Sequence, residues 1–205
     1  MANFGFLRSD IDGTEHLFTI GNASLPDVYS YRNYLSPVIN QGNLPICVPC
    51  SVSTYVNWRI NLENGEKIDN NVSYSEIYKS RTTPEDGMTF KDAFNFLLKT
   101  GVTTDTGNFQ IKEYSLIKNF LQLKNALLMN GPCLGALPVY NWDKYFWRRG
   151  DNDYLLGYHA IAIIGYNTNG FIIRNSWGKH FGDNGYTEIL YKEFDSLLEL
   201  WTIMD

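Results

Sequence analysis

Apolar positions along the chain change their spacing once, at Pro132. Before it they recur every three or four residues, the period of a helix with one buried face. After it they alternate or run together in short blocks, as strands do. Ser51, Val52, Tyr55, Val56 and Ile60 predict a helix that begins near Cys47 and ends before Gly65. Pro49 fits its first turn, where the N–H that proline lacks would have no helical partner. Residues 72–79 predict a short helix, with Ser73 as cap and Glu76 at capping-box spacing. Residues 89–100 predict another, capped by Thr89, with Asp92 in its first turn and Gly101 at its end. Ala93, Phe94, Leu97 and Leu98 form its apolar face. A further amphipathic helix is expected over residues 115–130, closed by Gly131-Pro132. Strands are predicted at 133–139, 160–165, 170–174 and 186–190, followed by a short helix or turn over 191–198 and a last strand at 200–204.

This pattern is that of an α+β chain forming one domain over residues 1–205. A helical lobe over about 41–125 and a β lobe over about 126–205 would face each other across a cleft, the usual place for a ligand. Residues 4–20 read as an extended arm turning at Asp12-Gly13, and residues 25–40 as a loop carrying Pro26 and Pro37. Together the segment 1–40 is expected to wrap the surface.

Composition narrows the function classes. A hydrophobic fraction of 44% with 15% aromatics suffices for a packed core. The net charge of −5 and the lack of a basic cluster argue against nucleic acid as a partner. The longest apolar runs fall far short of a membrane span, so no membrane partner is expected. Three cysteines cannot build a dense disulfide framework, and the N-terminal residues lack the charged and apolar regions of a signal peptide. Both features point to a reducing compartment, the cytoplasm.

Three distant stretches carry the chemistry. Cys47 sits where a helix should start, and unpaired N–H groups there favour a thiolate. His159 opens an apolar strand, whereas His16 lies in the arm and His180 in a polar turn. Asn175 ends a strand and is followed by Ser176-Trp177-Gly178. An amide can orient an imidazole without taking its proton, and a neighbouring Trp can shield that bond from water. Gln41 precedes Cys47 in the same loop and could donate to an oxyanion beside the Cys47 backbone N–H. Each residue alone has a plainer reading: a small buried hydrophobe, a structural hydrogen bonder, a strand-to-turn transition, a loop amide.

Taken in order, Gln41-Gly42 with Cys47, the strand from Gly157 to Tyr166, and Asn175-Ser176-Trp177-Gly178 resemble the papain-like (C1) cysteine peptidases. The likeness extends through Phe181-Gly182-Asp183-Asn184-Gly185-Tyr186 and the stretch from Leu25-Pro26 to Pro37-Val38. It is nearest to bacterial and phage-type members that lack disulfides and a long propeptide. The resemblance implies a papain-like two-lobe fold, with a helical lobe, an antiparallel sheet lobe and a cleft between them. It implies cleavage of a peptide or protein substrate without metal or organic cofactor. The implied roles are Cys47 as nucleophile, His159 as base and acid, Asn175 as orienting group, Gln41 as oxyanion donor and Trp177 as shield at the substrate cleft. Gly87 would pair with an extended substrate, and Met88, Ala136 and Ala160 would line the pocket for the second residue before the cut. No charge occurs among these, so an apolar side chain is expected there. Where the family usually has Gly, Ser or Ala before the Cys and Trp after it, this chain has Pro45-Ile46-Cys47-Val48-Pro49.

Two other classes compete. A papain-like chain can be a catalytically silent binding protein. Cys47-Val48-Pro49-Cys50 also has the form of a thiol–disulfide oxidoreductase motif, which would need a strand directly before it. Cys50 itself is expected to pack as a small hydrophobe, or, in the sharper reading, to trap an oxidised Cys47 as a disulfide.

Overall fold

In the computed structural model, residues 4–21, 24–65, 67 and 72–205 are described. Helix α1 (Cys47–Asn64) is buried along most of its length, from Cys47 to Asn61. Gly65 ends it in the left-handed region at φ 66°, which a residue without Cβ adopts freely. Helices α2 (Tyr74–Lys79) and α3 (Phe90–Lys99) pack beside it. Thr89 caps α3 by accepting from the Asp92 N–H at 3.0 Å, as its position predicts. Ser73 does not cap α2 with its side chain. Glu76 instead accepts from the Thr103 N–H at 2.9 Å, because strand β2 (Val102–Thr104) lies within its reach.

β2 forms a hairpin with β3 (Gly107–Phe109) that periodicity did not predict. The expected helix over 115–130 is shorter at its start. Ser115 and Leu116 belong to strand β4 (Glu113–Leu116), and helix α4 runs from Phe120 to Asn130. Asn119 caps α4 by accepting from the Gln122 N–H at 2.9 Å. Sheet pairing outweighs the helical pattern here: Tyr114 lies opposite Ile203 and Leu116 opposite Trp201.

The remaining strands are β5 (Cys133–Val139), β6 (Gly157–Tyr166), β7 (Gly170–Arg174), β8 (Tyr186–Leu190) and β9 (Glu199–Met204), with a two-residue β1 (Tyr29–Ser30) beside β6. A single-turn 3₁₀ segment at Tyr191–Ser196 precedes β9. The sheet order is β4-β9-β5-β6-β7-β8, antiparallel at every pair. The fold is therefore α+β, as the sequence predicts. One apolar layer lies between α1 and the sheet and holds Phe6, Cys47, Met88, Ala136, Ala160 and Trp201. A second lies on the other face, where α4 contributes Leu123, Ala126 and Leu127.

The arm does more than follow the surface. Phe4, Phe6 and Phe18 are buried. Leu17 bridges to Leu116, and Phe6 to Met88. The turn at Asp12-Gly13 is closed by Thr14, whose N–H and hydroxyl both donate to Asp12, at 2.9 and 2.7 Å.

Candidate active site

Cys47 is the first residue of α1, and the β6 backbone runs directly over it: the Ala160 N–H donates to Cys47 Sγ at 3.4 Å. The preceding residue on β6 is His159. Its Nε2 lies 2.7 Å from Asn175 Oδ1, and Nδ1 makes no hydrogen bond among the described residues. The amide oxygen fixes the tautomer, with the proton on Nε2 and a lone pair on Nδ1. Asn175 is held in turn by its own backbone N–H, which donates to Gly185 O at 3.0 Å, and by the Ser176 N–H, which donates to Oδ1 at 2.7 Å.

Trp177 lies against the imidazole with ring centres 4.7 Å apart. Phe146 and Phe181 pack on that indole at 4.9 and 5.2 Å, so the His159–Asn175 bond is shut off from water. Gln41 enters from the loop before α1. Its Oε1 accepts from Ser176 Oγ at 2.6 Å, and Nε2 donates to Leu44 O at 2.9 Å. An amide nitrogen carries two hydrogens, so one remains for an oxyanion.

The thiol does not follow the expectation of a lowered pKa. Burial pushes Cys47 up to about 12, against the opposing effect of the backbone N–H groups of Ala160, Val48 and Cys47 itself. Burial likewise brings His159 down to about 4, opposed by Asn175 and the Phe4 backbone. Both groups are 0% exposed, so desolvation of the charged forms outweighs the helix start.

The covering is the arm. Phe4 packs on Trp142, Trp177 and His159 at ring distances of 5.1, 6.0 and 6.2 Å. Gly5 presses on the Pro45 backbone, where a Cβ would come within 2.2 Å of the carbonyl carbon. Phe6 packs on Phe90 at 5.3 Å. The Met88 N–H donates to Gly5 O at 2.9 Å, and the Leu7 N–H donates to Met88 O at 3.0 Å. The strand pairing expected at Gly87 thus falls on Met88. The Gly87 N–H donates instead to the Tyr78 hydroxyl at 3.1 Å.

Ala160, Ala136 and Glu199 lie opposite one another on β6, β5 and β9, forming one row across the sheet. The acid at the end of this row follows no motif. Its only trace in the sequence is an acidic residue two places before Trp201, on the same face of a strand. Ser176 and Tyr78 were likewise unannounced; their roles come from partners distant in sequence.

A family model described as "Papain family cysteine protease" matches residues 102–197. Cathepsin B-like CP1 of Giardia intestinalis is 26% identical over 200 residues, spanning 78% of this chain and 65% of that protein. Cathepsin B-like cysteine proteinase 4 of Caenorhabditis elegans is 33% identical over 91 residues, 40% of this chain and 27% of that one. Among solved structures, xylellain, a cysteine protease from Xylella fastidiosa, superposes with a TM-score of 0.83 at 22% identity, covering 99% of this chain and 96% of its own. The chain belongs to the papain-like (C1) family. The papain-like fold also covers proCathepsin B S9 from Trypanosoma congolense, with a TM-score of 0.80 at 15% identity over 99% of this chain. This papain-like chain spans 65% or less of the length of these curated relatives.

Proposed function

We propose that this chain is a cysteine peptidase, a hydrolase that cuts peptide bonds in a peptide or protein through a thioester. The observation that carries this reading is the pairing of His159 Nε2 with Asn175 Oδ1 at 2.7 Å, on the strand whose next N–H meets Cys47 Sγ. In the proposed reaction the thiol proton passes to His159 Nδ1 as Sγ bonds to the carbonyl carbon. The oxyanion takes hydrogen bonds from the Cys47 N–H and Gln41 Nε2. Collapse breaks the C–N bond, and His159 returns its proton to the leaving amine. Water, deprotonated by the same imidazole, then releases the acid and restores the thiol.

The leaving amine must lie at His159, so the acyl part of a substrate lies on the Met88 side. The arm runs the other way, from Phe4 at Trp177 to Phe6 at Met88. It fills the cleft without offering a bond in the reactive direction, and it must move aside before a substrate enters. The loop that leads into Cys47 disfavours the oxidoreductase reading, which needs a strand there. No helix among the described residues is long and apolar enough to cross a membrane, and the three free thiols suit a reducing compartment, for which we propose the cytoplasm.

Incubation of the native chain and of Cys47→Ala with a peptide library, read by mass spectrometry, tests the proposal. Cleavage by the native chain and none by Cys47→Ala is expected. An uncut library, with the cleft open to a thiol-directed probe, would leave a silent binding protein.

A further inference from the structure

The pocket expected to take an apolar side chain contains a carboxylate. Ala160, Ala136 and Glu199 share a row, and the two short side chains leave the floor of the cleft open toward the acid. Glu199 is only 4% exposed. Each of its oxygens accepts one N–H: Oε1 from Ser9 of the arm at 2.6 Å, Oε2 from Trp201 Nε1 at 3.1 Å. Only the second donor belongs to the folded body behind the cleft. The first belongs to the arm that a substrate must displace, and the arm also brings Arg8 near enough to favour the ionised form. When the arm leaves, Oε1 loses its donor in a site with little water. A buried carboxylate without a partner is costly, and a cationic donor relieves that cost.

We propose that Glu199 makes this a pocket for a basic side chain, arginine above lysine, bounded by Met88, Ala136 and Ala160. The proposal rests on the peptidase reading. Arginine ranks first because its planar fork can meet the free oxygen while its aliphatic stem covers the alanines. Phe6 fills the arm-bound cleft without using this charge, and Ser9 satisfies it through the backbone instead.

The test uses the full-length chain carrying Phe4→Ala to loosen the arm, with paired peptides that differ only in Arg or Leu at the pocket position. The Arg peptide should be cut with a kcat/KM about tenfold or more above its Leu partner, the range of a charge-assisted hydrogen bond. Glu199→Gln should bring that ratio to about one while leaving the Leu peptide within roughly threefold of its former rate. A native preference for Leu, or a ratio that Glu199→Gln does not change, would overturn the proposal. If neither peptide is cut, the peptidase reading fails, and a melting cycle decides the pocket separately. Phe6→Arg should then cost about 4 °C less in the presence of Glu199 than in the Glu199→Gln background, and equal costs would refute the pocket.

Discussion

A thiol and an imidazole that are both fully buried are held neutral for opposite reasons: the one cannot lose its proton, the other cannot gain one. The reactive pair is therefore assembled in this structure but not charged. Cys47→Ala should abolish cleavage, and His159→Ala should come close to it, because attack and departure both use that ring. Asn175→Ala and Gln41→Ala should leave partial activity; loss of an oxyanion donor typically costs about 10²–10³ in rate. A silent Asn175→Ala in a steady-state assay would remove the orienting role. The pH dependence of stability has a definite sign. Folding lowers the His159 pKa from 6.5 to about 4, so between those values the unfolded chain binds more protons and the native state loses stability as pH falls. Glu199, raised by burial, acts in the opposite sense near its own range, so the native chain must be compared with His159→Gln. The melting advantage of the native chain over that variant should shrink from about pH 7 to pH 4.5 by the equivalent of roughly 2–3 kcal/mol. A constant gap would mean that His159 is not buried neutral in solution. Cys50 is 1% exposed and its thiol is raised by burial and by Cys47, which supports the packing reading over a redox partner. Recovery of activity after peroxide and reductant should be equal in the native chain and Cys50→Ala.

At the scale of elements, the arm and α1 decide the state of the site. Gly5 meets Pro45 so closely that any Cβ would displace it. Gly5→Ala should therefore lift the arm from the cleft while the sheet and α1 stay folded. Its Cys47 should react with a small thiol-directed probe at least about tenfold faster than in the native chain, since local opening is what limits access to a buried group. An unchanged labelling rate, with an unchanged melting temperature, would mean that the arm does not gate the thiol. The elements legible in the sequence were those whose signal is local. Thr89 and Asp92 mark the start of α3, Gly65 ends α1, and the strand-length blocks after Pro132 became β5 to β9. Those read differently depend on remote partners. β4 exists because β9 lies beside it, and Glu76 leaves its capping role because β2 offers an N–H. The arm is extended, as its turn suggested, but nothing local in Phe4 or Phe6 says that their rings close a cleft.

In the whole molecule, two apolar layers fix the sheet between α1 and α4, and the catalytic groups lie where the first layer opens toward solvent under the arm. The residues of the candidate site were legible because their chemistry needs particular side chains in a particular order. The charge of the pocket was not, because Glu199 becomes a neighbour of Ala136 only through sheet register. The central claim is that Cys47 is the nucleophile of a peptide-cutting site. The most direct measurement is titration of the full chain with a peptidyl epoxide, with the adduct mapped by mass spectrometry and residual peptide cleavage followed in the same sample. The account predicts one label per chain, on Cys47, with cleavage lost in proportion to labelling, and no label in His159→Ala on the same timescale. A label on Cys50 or Cys133, or cleavage that persists once Cys47 is fully modified, would contradict it.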